Sequence, residues 1–148
     1  MKRAVTLIGS DLLSDVAEYA YAATAPASAR FVFLAGACPL ESDGSTVAVG
    51  DYAGQAVKCI QNMVIALAAT GARLEDVIST RVLVASSRQS DLVTAWQVVR
   101  DAFGSHAVPS TLLGVTVLGY RDQLVKVEAV AAVIDDSAQI NSAILVPE

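Results

Sequence analysis

A chain of 148 residues is long enough to bury roughly two-thirds of its unfolded surface around one core, so a single domain over 1–148 is expected. Hydrophobic residues make up 54% and charged residues 17%, yet no apolar run approaches the roughly 20 residues of a membrane span, which argues against a membrane protein. The net charge of −5 opposes sequence-independent attraction to phosphate backbones, so nucleic acid is a poor partner for this chain.

The opening "MKRAVTLIGSD" has two basic residues and a short apolar run without the length or cleavage pattern of a signal peptide, and a cytoplasmic protein is expected. "RAVTLI" from Arg3, "EYAYAAT" from Glu18 and "ARFVFLAGA" from Ala29 alternate like an antiparallel sheet, the last two joined by the turn-forming "APAS". The period then changes. Val57, Ile60, Val64 and Leu67 recur at helical spacing, with Asp51 as N-cap and Gly71 as the stop. Gln55 and Asn62 on this helix are read as facing opposite ways, in capping or packing contacts. Val77 to Ala85 is β-branched enough for a strand, and Leu92, Trp96, Val99 and Phe103 mark a second helix that ends at Gly104.

Two further strands follow, "STLLGVTVL" and "QLVKVEAVAAVI". In the second, Val125, Val127, Ala129 and Ala131 share one face, which should receive the helices, and Leu124, Lys126, Glu128 and Val130 share the other. The order ββ(β)αβαββ predicts a two-layer α+β domain with two helices on one side of a mixed sheet. The second sheet face then needs another cover, and its charged residues point to a shared, partly polar interface.

Cys38 and Cys59 are too few for a disulfide framework and read as small buried hydrophobes. His106 is the only histidine, in the connection "GSHAVP", where a solvated loop residue is expected rather than a base. No zinc spacing is present, and neither metal nor cofactor is expected.

Taken in order, "EYAYAA", "FVFLAG", "QAVKCIQN", "LAATGARLEDV" and "VKVEAVA" resemble the RidA/YjgF family, the reactive-intermediate deaminases also labelled L-PSP endoribonucleases. The resemblance runs from Glu18 to Val133. It implies a chorismate-mutase-like fold, a homotrimer whose three sheets form a central barrel, and small-molecule clefts between subunits. It also implies hydrolysis of enamines and imines to 2-oxo acids and ammonia. An arginine holds the substrate carboxylate in that chemistry, and a water near a glutamate attacks the C=N carbon.

The family's arginine lies in a Pro-Ala-Arg motif opening the penultimate strand, and here the corresponding residues are Pro109, Ser110 and Thr111. The resemblance therefore sets Thr111 where the carboxylate-binding arginine would stand. A hydroxyl cannot neutralise an anion. Trp96 occupies the position of a common asparagine, Val99 that of a tyrosine, and Ala35 that of the serine before Gly36. Glu128 matches the water-orienting glutamate, Tyr19 a tyrosine at the cleft's edge, and Gly36 a position where a ligand approaches the strand backbone.

From the residues alone, Glu128 inside an apolar strand is either a functional carboxylate or half of an ion pair, with the neighbours of Lys126 or with Arg81 across a trimer seam. Arg81 shares Glu128's sheet face and is either a replacement for the missing arginine or a structural charge. Arg121, in the turn "LGYRDQ", reads as solvated. Tyr19, Tyr21 and Trp96 read as packing aromatics. Two functions remain open: a trimeric hydrolase of small imines using Glu128 and water, or a binding protein that has lost the deaminase site and keeps clefts for a small metabolite. A ribonuclease fits poorly with the acidic balance and the single histidine.

Overall fold

A computed structural model describes residues 3–135. Six strands and two long helices are set out along the chain: β1 (Thr6–Ile8), β2 (Ala22–Thr24), β3 (Arg30–Phe33), α1 (Tyr52–Ala69), β4 (Val77–Ala85), α2 (Gln89–Phe103), β5 (Ser110–Val115) and β6 (Val125–Val133). A single 3₁₀ turn, Leu74–Asp76, leads into β4. The fold is α+β with mixed strand pairing, as the sequence pattern predicts.

The main sheet has the order β3-β6-β4-β5. β6 runs antiparallel to both β3 and β4, while β4 and β5 are parallel and are joined by α2 as their crossover. β1 and β2 differ from the sequence reading. They form their own antiparallel pair rather than extending the main sheet, so β3 finds its partner in β6 and not in β2. The expected strand from Glu18 is also shorter. Glu18 takes a positive φ of 57°, and the Ala20 N–H bonds to the Ala107 carbonyl, which diverts this segment to the loop before β5.

The core lies between the sheet and the helices. Val82 and Val84 of β4, and Val125, Val127, Ala129 and Ala131 of β6, point into it, in the period-2 pattern the sequence predicts. Ala95, Trp96, Val99 and Phe103 supply the buried stripe of α2. In α1 the expected stripe is rotated. Val57 and Val64 are half exposed, and the inward face is formed by Gln55, Ala56, Cys59, Ile60, Met63 and Leu67. Ala56 and Cys59 are short, so the helix can lie close to β6, and residues one step further round the helix turn outward.

The caps match the pattern read from the sequence. Asp51 accepts from the Gly54 N–H at 2.9 Å, and Gly71, at φ 82°, follows the Thr70 cap of α1. Gln55 and Asn62 do not face opposite ways: seven residues are nearly two full turns, which returns both side chains to one side of α1. Buried Gln55 accepts from the Leu124 N–H at 2.7 Å and donates to the Asp122 carbonyl at 2.9 Å, pinning the turn before β6. Asn62 donates to the carbonyls of Cys38 and Leu40 and so fixes the segment that follows β3.

At the far end of β3, Arg30 donates to both carboxylate oxygens of Asp135, at 3.0 and 2.9 Å, and to the Thr70 carbonyl at the end of α1. The Arg30 hydrogen bonds hold the Asp135 carboxyl below its ordinary range. Cys59 is the buried thiol the sequence suggests, and burial pushes its pKa up to about 12, whereas Cys38 is only half buried. His106 is also not simply solvated. It is half buried, and its Nε2 lies 2.8 Å from the Val77 carbonyl, a contact that ties the loop before β5 to the start of β4. No helix among the described residues is long and apolar enough to cross a membrane.

Candidate functional site

The strand register decides which candidate side chains can meet. β4 pairs Arg81 with Thr111 on one side and with Glu128 on the other, so these three residues form one row across β5, β4 and β6. Paired residues project to the same sheet face, and neighbouring strands lie about 4.8 Å apart. The row stands on the face away from the helices, because the flanking Val82 and Val127 are fully buried on the helix side.

The start of β5 explains why Thr111 turns outward. The Ser110 hydroxyl lies 2.7 Å from that of buried Thr80 and donates to the Val108 carbonyl at 3.0 Å, while the Thr80 N–H bonds to the Pro109 carbonyl. With Ser110 held inward, alternation sends Thr111 to the open face. Ser110's anchoring role was not visible in the sequence, since its partner Thr80 lies 30 residues away.

Arg81 Nη1 approaches Glu128 Oε2 at 3.9 Å. Both side chains are half exposed, and at this separation the contact is an ion pair without a hydrogen bond. The two residues line a shallow depression of about 200 Å³ together with Phe33 and Val130. Phe31 and Phe33 continue this open face along β3, their rings 6.4 Å apart and substantially exposed.

A second, larger cleft of about 420 Å³ opens at the edge of β5. It is lined by Ala17, Tyr19, Trp96, Ser110, Thr111 and Leu112. Tyr19 and Trp96 meet edge to face at 6.1 Å, and the Tyr21 ring lies tilted by 54° against Tyr19 at 5.3 Å. Trp96 belongs to both the core and the cleft wall: it is 8% exposed, and its buried Nε1 has no hydrogen-bond partner among the described residues.

The predicted site residues thus fall into two groups in one chain. Tyr19, Trp96 and Thr111 share the β5 cleft, and Arg81 and Glu128 share the depression on the open face, with the Thr111–Arg81 register joining the two. Gly36 belongs to neither lining and packs beneath the side chain of Lys126. Sequence reasoning placed Lys126 on Glu128's face without giving it a role. Arg121 is exposed in its turn, where its carbonyl accepts from the Thr46 hydroxyl. Among the described residues no cluster of three or more His, Cys, Asp or Glu side chains is arranged to hold a metal ion.

Comparison with known proteins places these features in context. Residues 13–133 match the model of the family described as endoribonuclease L-PSP. The fold is similar to that of YyfB, a Rid-family protein of Yersinia pestis, with a TM-score of 0.79 and 22% identity over 87% of this chain and 98% of that one. Rv2704 of Mycobacterium tuberculosis, a member of the YjgF/YER057c/UK114 family, is 28% identical with a TM-score of 0.59, covering 87% of this chain and 99% of that one. RidA of an Antarctic Psychrobacter gives 18% and 0.63 over 86% and 99%. Comparison with curated proteins gave no match.

Proposed function

Because the chain belongs to the endoribonuclease L-PSP family, the RidA/YjgF group, we propose that it is a single-domain homotrimer that hydrolyses small imines bearing an acid group in clefts between subunits. The three open sheet faces close on one another as a central barrel, covering the exposed Phe31 and Phe33. The observation that carries the catalytic reading is the register of Arg81 opposite Thr111. An arginine one strand over, on the same face, supplies the positive charge that Thr111 lacks.

In this reading Arg81 takes the substrate carboxylate in a two-pronged contact, which its guanidinium geometry favours. Its 3.9 Å approach to Glu128 is loose enough to be exchanged for that contact. Glu128, released from its cation, orients a water and accepts a proton from it. The water oxygen bonds to the imine carbon while the nitrogen gains a proton. The C–N bond of the resulting carbinolamine then breaks, giving a 2-oxo acid and ammonia, so one water is consumed and no oxidant or cofactor is needed. Tyr19 and Trp96 form the apolar wall of the neighbouring β5 cleft, and Gly36 lies outside both linings.

A second reading, a binding protein without turnover, is favoured by the apolar wall that Tyr19 and Trp96 build beside Thr111. The two are separated by generating 2-iminopropionate and 2-iminobutyrate in situ and following their loss against the spontaneous rate. The hydrolase accelerates both. Glu128→Gln lowers kcat about a hundredfold or more with assembly intact, and Arg81→Ala raises KM. No acceleration at high protein concentration overturns the hydrolase and leaves the binding protein.

A further inference from the structure

The outward face of α1 departs from what a sheet-covering helix shows to water, which is polar and charged side chains. On its last two turns the exposed residues are Val64, Ile65, Ala66, Ala68 and Ala69, and Ile65 is 69% exposed. Val57 continues the stripe toward the start of the helix, with Gln61 as the polar residue between. The outward face of α2 is different, since Thr94, Gln97 and Asp101 are exposed there. The stripe of α1 points away from the sheet, because Ala56, Cys59, Met63 and Leu67 hold the opposite side of the helix in the core.

The chain leaves β6 beside this stripe. Arg30 donates to the Thr70 carbonyl at the end of α1 and to the Asp135 carboxylate, so one guanidinium joins the end of the helix to the point where residues 136–148 begin. Those residues read "DSAQINSAILVPE", with no charge between Asp136 and Glu148 and with Ile140, Ile144, Leu145 and Val146 as large apolar side chains. The family match stops at residue 133, so this segment lies outside what the family shares. We propose that residues 140–146 dock on the apolar stripe of α1 in the same chain, packing against Val64 and Ile65 and pinning the last turns of the helix. The lengths agree. Five extended residues from Asp135 to Ile140 reach about 16 Å, and the five helical residues from Thr70 back to Ile65 cover about 7.5 Å. Neither surface carries a charge that would keep it in water, and burying both is favourable in proportion to their apolar area. The covalent link holds the segment at an effective concentration of about millimolar beside the stripe, which favours this occupant over a separate molecule.

The test is amide hydrogen exchange on the whole chain. Ile144→Asp together with Leu145→Asp puts charge into the segment, and exchange across residues 64–70 should speed about tenfold or more, while unchanged rates in β4 and β6 show the fold intact. Ile65→Asp should act alike from the helix side, and combining it with the two tail changes should add little, because both remove one contact. Unchanged rates in the tail variant overturn the proposal. Cross-linking identifies the occupant. In a Cys38→Ser background, with Cys59 buried and inert, Ile65→Cys is combined in turn with Ile140→Cys, Ile144→Cys and Leu145→Cys and oxidised. A disulfide within one chain in at least one pair supports the docking. Disulfides only between chains mean that the stripe holds the segment of a second copy, and no disulfide in any pair means that the segment does not lie there; either result overturns the proposal.

Discussion

The two faces of the main sheet are made by the same strands and obey opposite rules. On the helix side, Val82, Val84, Val125 and Val127 are fully buried among apolar neighbours, and a polar group admitted there, such as Gln55, has backbone partners for its amide oxygen and nitrogen. On the open side, Arg81, Lys126 and Glu128 stand beside Phe33, which is 78% exposed. Alternation along β4 and β6 therefore divides labour residue by residue: even small changes on one face act on folding, while the other face is free to carry charge. A strand can lose and regain a binding residue on its open side without disturbing its packed side.

This contrast can be broken most severely from the packed side. Met63→Ala empties a fully buried volume between α1 and the sheet and should cost about 2–5 kcal/mol, read as a lower urea midpoint at unchanged slope. Gln55→Leu is milder in volume but leaves the Leu124 N–H and the Asp122 carbonyl without their partner. A loss of about 1–3 kcal/mol is expected, with faster amide exchange in the turn before β6. The open face sharpens the comparison by doing little to stability. Arg81→Ala should change unfolding by about 0.5 kcal/mol or less, since its ion pair is long and solvated, while carboxylate binding weakens. A large stability loss in that variant would make the pair structural.

How far these faces were legible in the sequence depends on the range of the signal. The bounds of β4, the stripe of α2 and the shared face of Arg81 and Glu128 follow from period 2 and period 3.6 within one segment. The partner of β3 did not follow, because its pairing with β6 joins residues about a hundred positions apart, and nothing local distinguishes that choice from a hairpin with β2. The rotation of α1 was missed for a different reason. Ala56 and Cys59 signal burial only weakly, so the larger Val57 and Val64 drew the stripe one residue off. Thr111 was noticed only through the family resemblance. Lys126 on Gly36 was not, since a glycine's empty volume says nothing of which side chain enters it.

Cys59 lies at the centre of the packed layer, wholly buried, with its proton retained up to about pH 12. Thiolate is the form that reacts with alkylating and disulfide reagents. This sulfur is therefore chemically silent while the helix rests on the sheet and becomes reactive only when the layers part. The protein carries its own clock for opening: the rate at which Cys59 is modified times the separation of α1 from the sheet, independently of anything that happens among the charges on the other side.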